Sequence, residues 1–324
     1  MPLAKIKSAM RRIPGSGQYR GLRDYLYDFR RFSEHSSALD PQISLEARAA
    51  RVTKTYHMIE KGLALPQPRP GFGQDAIAML LREVPRLEAE GHAGLETDGA
   101  RATMAAYVAH HDAIGHAVDP AVRAFASGAG NKPGGAMQVT RAELQAAAAI
   151  DFAHFARSRH SVRNFTGEPV SEAQISAAIA VALKSPRVCN RESRRVHVAL
   201  TPEARQRMLG VQNGNRGFGH LAGAVLMITS DVRDFVGFNE RNQCFVDGGL
   251  FAMTLAYALH AQGLGTCMLN ASNARWRDRQ VRAALPVPDH EVVITFMAVG
   301  HLPEKLAVAQ SPAPAVDQVM RVLG

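Results

Sequence analysis

The chain has 324 residues, room for about two domains at roughly 150 residues each. Hydrophobic residues make up 46% and charged residues 21%, which supports a sizeable core and excludes a disordered chain. The net charge of +9 favours anionic partners such as phosphates, nucleic acid or acidic lipid, without choosing among them. Cys189, Cys244 and Cys267 show no CxxC spacing, which argues against a disulfide framework and a structural zinc site and fits a reducing cytoplasm. No run of about 18 apolar residues marks a membrane span, and no signal-peptide core follows Met1.

In chain order, residues 1–18 place Leu3, Ile6, Met10 and Ile13 at helical spacing among Lys5, Lys7, Arg11 and Arg12. That pattern suits weak contact with an anionic membrane surface, or a frayed basic arm. Residues 20–120 read as helical. Leu22, Leu26 and Phe29 mark one stripe; Leu45, Ala49, Val52, Tyr56 and Ile59 mark a second, with Ser44 as N-cap and Gly62 as stop. Residues 66–73 form a loop, and helices follow over 74–90 and 95–116. The Gly-rich run 127–135 lacks the GxxxxGK[ST] pattern and reads as a flexible loop between domains, which places the boundary near residue 135. The two regions are then 1–135, mainly helical, and 136–324.

The second region alternates helices and strands. Thr140-x-x-Glu143 is a capping box opening a helix to about residue 156, and Ser171-x-x-Gln174 opens another that stops before Pro186. Residues 196–200, 224–229 and 292–299 are β-rich runs of buried-strand length. Asp247 to Gln262 and Asn273 to Leu285 read as helices. This order predicts an α+β fold, a mixed central sheet flanked by helices behind an added helical N-terminal region.

Four segments carry the chemistry. Arg157 to Phe165 offers three arginines, a serine and a histidine, and an extended backbone points Arg159, Ser161 and Arg163 the same way, a set suited to an anion. Ser185 to Ser193 is a polar loop between helix and strand. Gly263 to Met268 follows an apolar helix; Gly265 either admits a flat ligand close to the backbone or belongs to a helix C-cap. Ala298 to Pro303 ends an apolar strand. No GxSxG elbow, HExxH or Walker A occurs, and no GxGxxG sits at a strand-to-helix turn.

Taken in order and spacing, these four segments resemble the nitroreductase-like FMN-dependent oxidoreductases over about residues 150–305. The resemblance implies FMN, with NADH or NADPH as donor, and a homodimer with the flavin at the subunit interface. Arg159 and Ser161, with His160 beside them, match the phosphate-holding positions. Arg163 matches the cation near flavin N1, where reduction places negative charge. Ser185, Pro186 and Arg187 match the loop that reaches the flavin from the partner subunit, Asn190 a polar residue near the ring, and Asn215 a second. Leu264, Gly265 and Thr266 match the backbone lying against the isoalloxazine. The family's Asn-x-Gln-x-Trp continuation is replaced by Asn190-Arg-Glu-Ser-Arg, and after the last strand, where the family has a basic residue on the phosphate, no arginine occurs until Arg321, leaving Lys305 or His301 as substitutes.

The resemblance implies hydride transfer through flavin N5 to an electron-poor acceptor, nitroaromatic, quinone or a biosynthetic intermediate. Two other readings stay open: a flavin-dependent tailoring enzyme of a specific biosynthetic pathway, polysaccharide synthesis included, without a nicotinamide donor, and a non-enzymatic protein of anionic surfaces. Nucleic acid is not expected, since the basic residues are dispersed without interleaved aromatics. No metal is expected. His57 with Glu60 or Lys61 could share a helix face as an acid/base or ion-pair group.

Overall fold

The computed structural model describes residues 16–130, 132–309 and 313–323. The expectation for the basic arm therefore falls, up to residue 15, outside the described residues. The first half is helical: α1 (Ser16–His35), α2 (Leu45–Leu63), α3 (Gln74–Ala89), α4 (Leu95–Ala113) and α5 (Pro120–Ala126). Ser44 Oγ accepts from Ala47 N at 3.1 Å and starts α2, whose Ala49, Val52, Tyr56 and Ile59 are buried. They pack with Leu80, Val84 and Leu87 of α3, Met104 and Tyr107 of α4 and Phe125 of α5 in one core. α2 runs through Gly62 and ends at Leu63. On α1 the expected stripe lies on the wrong side: Leu22, Leu26 and Phe29 are each more than half exposed, while Arg31 and Phe32 are buried.

The Gly-rich run is not a loose linker. A Cβ on Gly134 would stand 2.7 Å from Thr103 N, so only glycine lets this stretch lie against α4. The expected helix over 140–156 is two: α6 (Arg141–Ala147), opened by the Thr140–Glu143 capping box, and α7 (Phe152–Ser158), capped by Asp151 Oδ1 accepting from His154 N. The break frees Asp151 to cap the second helix.

The second half is built on β1 (Arg194–Ala199), β2 (Ala224–Asp231), β3 (Leu264–Leu269) and β4 (Glu291–His301), antiparallel in the order β1-β2-β4-β3. Val198 pairs with Leu226, Met227 with Phe296 and Cys267 with Ala298. The pleat divides the central strands between two cores. Leu226, Ile228, Met297 and Val299 pack under α8 (Glu172–Ala182) and α10 (Gln243–Ala261). Val225, Met227, Phe296 and Ala298 share the opposite face with Phe165 and with Met208 of α9 (Pro202–Val211) and Val281 of α11 (Arg275–Ala284). A four-residue helix, α12 (Val316–Val319), lies near the C-terminus.

Gly265 is not part of a helix C-cap, one of the two readings its sequence left open: Leu264–Leu269 is an edge strand. Its small residues carry little β signal of their own, and pairing with β4 sets its conformation. Ser161 adds one isolated parallel bridge, to Thr266, beside an otherwise antiparallel sheet.

The helical first half is tied to the second by polar contacts. Tyr27 Oη and Arg31 Nη2 both donate to Asp278 Oδ2, at 2.9 and 3.0 Å, and Arg282 Nε donates to the same oxygen at 2.8 Å. Arg233 pairs with Glu46 at 2.9 Å. Phe32 stacks on Phe235.

Candidate flavin site

The segment after α7 is extended. Val162 N donates to Thr266 O at 2.8 Å and Thr166 N to His301 O at 3.1 Å, which lays 161–166 along β3 and the end of β4. This addition brings Arg159, His160, Leu264, Gly265 and Thr266 to one recess of about 260 Å³, closed by Leu302, Leu306 and Val308. A Cβ on Gly265 would meet Leu302 at 2.6 Å and Val162 at 3.1 Å, so the close approach that demands glycine is made by the protein's own side chains. Arg163 is exposed, and among the described residues its Nη1 donates only to Ser161 O, at 3.4 Å.

His260 was not expected here. It sits in the last turn of α10, paired through Nε2 with Ser158 Oγ at 2.8 Å and packed against Phe155. Burial lowers its pKa, and the charges of Arg159 and His160 lower it further. Burial pushes the Cys267 thiol up against the pull of Arg163 and Arg159. Arg159 and Arg163 thus place positive charge at one end of an apolar shelf, with the ring nitrogens of His160 and His260 beside them. Lys305 lies between the lining residues Leu302 and Leu306, and His301 pairs with Leu264 across the sheet.

Ser185, Pro186, Arg187 and Asn190 form a second group, lining a separate recess of about 510 Å³ with Lys184 and His57. The Ser185 hydroxyl donates to Ala182 O at 2.6 Å and accepts from Arg194 Nη1 at 2.7 Å, so it is engaged within the fold. Arg187 Nε donates to Asn190 O and Nη1 to Leu183 O. Cys189 and Asn190 hold φ of 47° and 59°, a strained pair of non-glycine residues in the left-handed region. Val188 N donates to Asp247 Oδ2 at 3.0 Å and anchors this turn to α10.

Asn215 stands apart from both groups. Its Nδ2 donates to Leu209 O, Gln212 O and Gln212 Oε1, stitching its own loop beside a 430 Å³ recess that contains Arg205, Arg216 and His220.

Residues 156–214 and 210–301 match the model of the family described as Nitroreductase family. A comparison with curated proteins gives no match. Solved structures similar to this chain include a nitroreductase-like protein from Streptococcus mutans, 17% identical, covering 54% of this chain and 98% of its own, with a TM-score of 0.46. A nitroreductase family protein from Streptococcus pneumoniae TIGR4 is 19% identical over 53% of this chain and 99% of its own, with a TM-score of 0.45. An FMN-dependent nitroreductase from Clostridium difficile R20291 is 19% identical over 48% and 90%, with a TM-score of 0.42. Residues 156–301 of this chain thus match the nitroreductase family model, behind a helical N-terminal region that the model does not reach.

Proposed function

We propose that this protein is an FMN-dependent oxidoreductase that takes a hydride from NADH or NADPH and passes it to an electron-poor organic acceptor. The observation that carries this reading is the bridge of Ser161 to Thr266, which sets Arg159 and His160 beside the backbone of Leu264 to Thr266 in one recess. The donor set fits FMN. Arg159, His160 and the Ser158–His260 pair offer cationic and hydroxyl donors for a phosphate. Leu264, Leu302 and Leu306 offer an apolar shelf for a ring. Bound flavin supplies two-electron chemistry that no side chain here provides. The chain's own part is to bind, orient and exclude water. Arg163, held only to its neighbouring backbone, is free to place a guanidinium where reduction builds negative charge.

The reading includes a homodimer. Phe245, Val246 and Leu250 form an exposed apolar face along α10, and Gly249 on that face has open space where a Cβ would stand. A second copy is the occupant that suits it, because the Ser185–Asn190 loop lies apart from the Arg159 recess within one chain and serves the flavin of the partner. The division into 1–135 and 136–324 belongs to the same proposal.

The test is size-exclusion chromatography of protein loaded with FMN, followed by anaerobic addition of NADH or NADPH. A dimer whose flavin absorption bleaches supports the reading; retained flavin that neither nucleotide bleaches removes the nicotinamide donor.

A further inference from the structure

The 185–190 turn does not face solvent alone. α2 lies over it, and His57 completes the 510 Å³ recess lined by Lys184, Ser185, Pro186, Arg187 and Asn190. Asn190 also lines a second, larger recess of about 910 Å³, walled by Tyr56 and Glu60 of α2, by Asp98 of α4 and by the packed glycine loop at Gly134 and Gly135. The two recesses meet at one amide, and that amide makes no hydrogen bond to another described side chain. The strained backbone at Cys189 and Asn190 is therefore enclosed by the N-terminal region and α10.

His57 is oriented for chemistry. Its Nδ1 lies 2.9 Å from Glu60 Oε2, and Glu60 Oε1 accepts from the buried Thr103 hydroxyl at 3.3 Å. A carboxylate on Nδ1 fixes the tautomer and ring plane and leaves Nε2 as the nitrogen for a ligand. A hydroxyl, a carboxylate and an imidazole in line form the pattern in which a base is held by a third group.

We infer that the N-terminal region supplies the acceptor-side wall of the flavin site, with His57 as proton donor to the reduced acceptor and Glu60 as the residue that positions it. The inference rests on the flavin reading above, in which the Ser185–Asn190 loop reaches the partner's flavin. The acceptor class is one whose reduction leaves charge on oxygen, such as a quinone or another conjugated carbonyl. The acceptor gains a hydride from reduced flavin, its C=O π bond opens, and the electron pair collects on oxygen. That oxygen takes the proton from Nε2 of the His57 imidazolium, an O–H bond forms, and the ring left neutral, with its remaining proton on Nδ1 towards Glu60, regains the Nε2 proton from solvent.

Stopped-flow separation of the two half-reactions tests this, with His57→Gln, Glu60→Gln and Glu60→Asp in FMN-loaded protein. In His57→Gln, FMN retention and the rate of bleaching by NADH or NADPH are expected to stay at wild-type values. Reoxidation by 1,4-benzoquinone is expected to slow at least 10-fold. Glu60→Gln follows it, and Glu60→Asp, which keeps the carboxylate, recovers part of the rate. Independently of turnover, the imidazole resonances missing from His57→Gln should shift when 1,4-dihydroxybenzene is added to ¹⁵N-histidine-labelled oxidised protein. Wild-type reoxidation in His57→Gln, or unmoved resonances, overturns the inference and leaves the flavin reading standing. Wild-type protein that retains no FMN overturns both.

Discussion

Arg31 and Asp278 stand 247 positions apart in the chain and 3.0 Å apart in the fold. Arg31 is 4% exposed, and its charge is met by Asp278, which also receives Tyr27 and Arg282. The contact joins the helical N-terminal region to the helix α11 that covers one face of the sheet.

Removing the carboxylate leaves a buried guanidinium with its main partner gone. Asp278→Ala is expected to destabilise the protein by about 3 kcal/mol, since loss of one partner of a buried ion pair costs roughly 3–5 kcal/mol. Solvent-exposed Asp289, 3.5 Å from Arg31, offsets part of the loss. Urea unfolding should show a lower midpoint at an unchanged slope. An unchanged midpoint would mean the two halves do not depend on this pair.

His111 gives a pH signature. Gly71 N–H donates to its Nε2 at 3.0 Å, so the proton sits on Nδ1, 2.8 Å from Tyr107 O. A second proton would set N–H against N–H. Burial lowers the pKa below the ordinary 6.5, and His110 and His116 add to it. The unfolded chain therefore takes up its proton first as pH falls. Stability from this group is complete above 6.5 and is lost progressively below it, until the folded-state pKa is reached. Thermal unfolding should show a lower Tm between pH 7 and pH 5, and His111→Gln should remove part of that slope. An equal slope in the variant would assign the effect to other groups.

Gly134 has no space for a side chain. Gly134→Ala would press a methyl against Thr103 N and the Ala102 Cβ, both 2.7 Å away, at a cost of about 1–3 kcal/mol. Chemical denaturation reads the loss directly. Full stability in the variant would return the 127–135 run to the status of a loose linker.

Arg163 is the converse case. It is exposed and makes one weak contact, to Ser161 O. Arg163→Ala is expected to move Tm by less than about 1 °C while weakening FMN binding about 10-fold or more, the worth of a hydrogen bond to a charged group. Fluorescence titration of FMN measures it. Equal affinity would remove Arg163 from the flavin site.

Much of this was legible in the sequence where the signal is local. Ser44, Thr140 and Ser171 each cap the helix expected of them, and Ala49, Val52, Tyr56 and Ile59 face the core as their spacing requires. The four motif segments were legible as an ordered set. β3 was not, because Leu264, Gly265 and Thr266 become a strand only through pairing with β4. The engagement of the Ser185 hydroxyl by Arg194, and of the Asn215 amide by its own loop, had no sequence signal either. The meeting of His57 with Asn190 depends on how α2 packs over a distant turn, and neither segment alone announces the other. On α1, Leu22, Leu26 and Phe29 form the stripe their spacing marks, yet each is more than half exposed, while Arg31 and Phe32 are the buried residues.

The central claim is that this fold holds FMN, and the most direct measurement is the visible absorption spectrum of the purified protein after addition of FMN and removal of the excess. The account predicts flavin bands that stay with the protein at close to one per chain, and that leave it more readily in Arg163→Ala. A protein that emerges without flavin under every loading condition would contradict it.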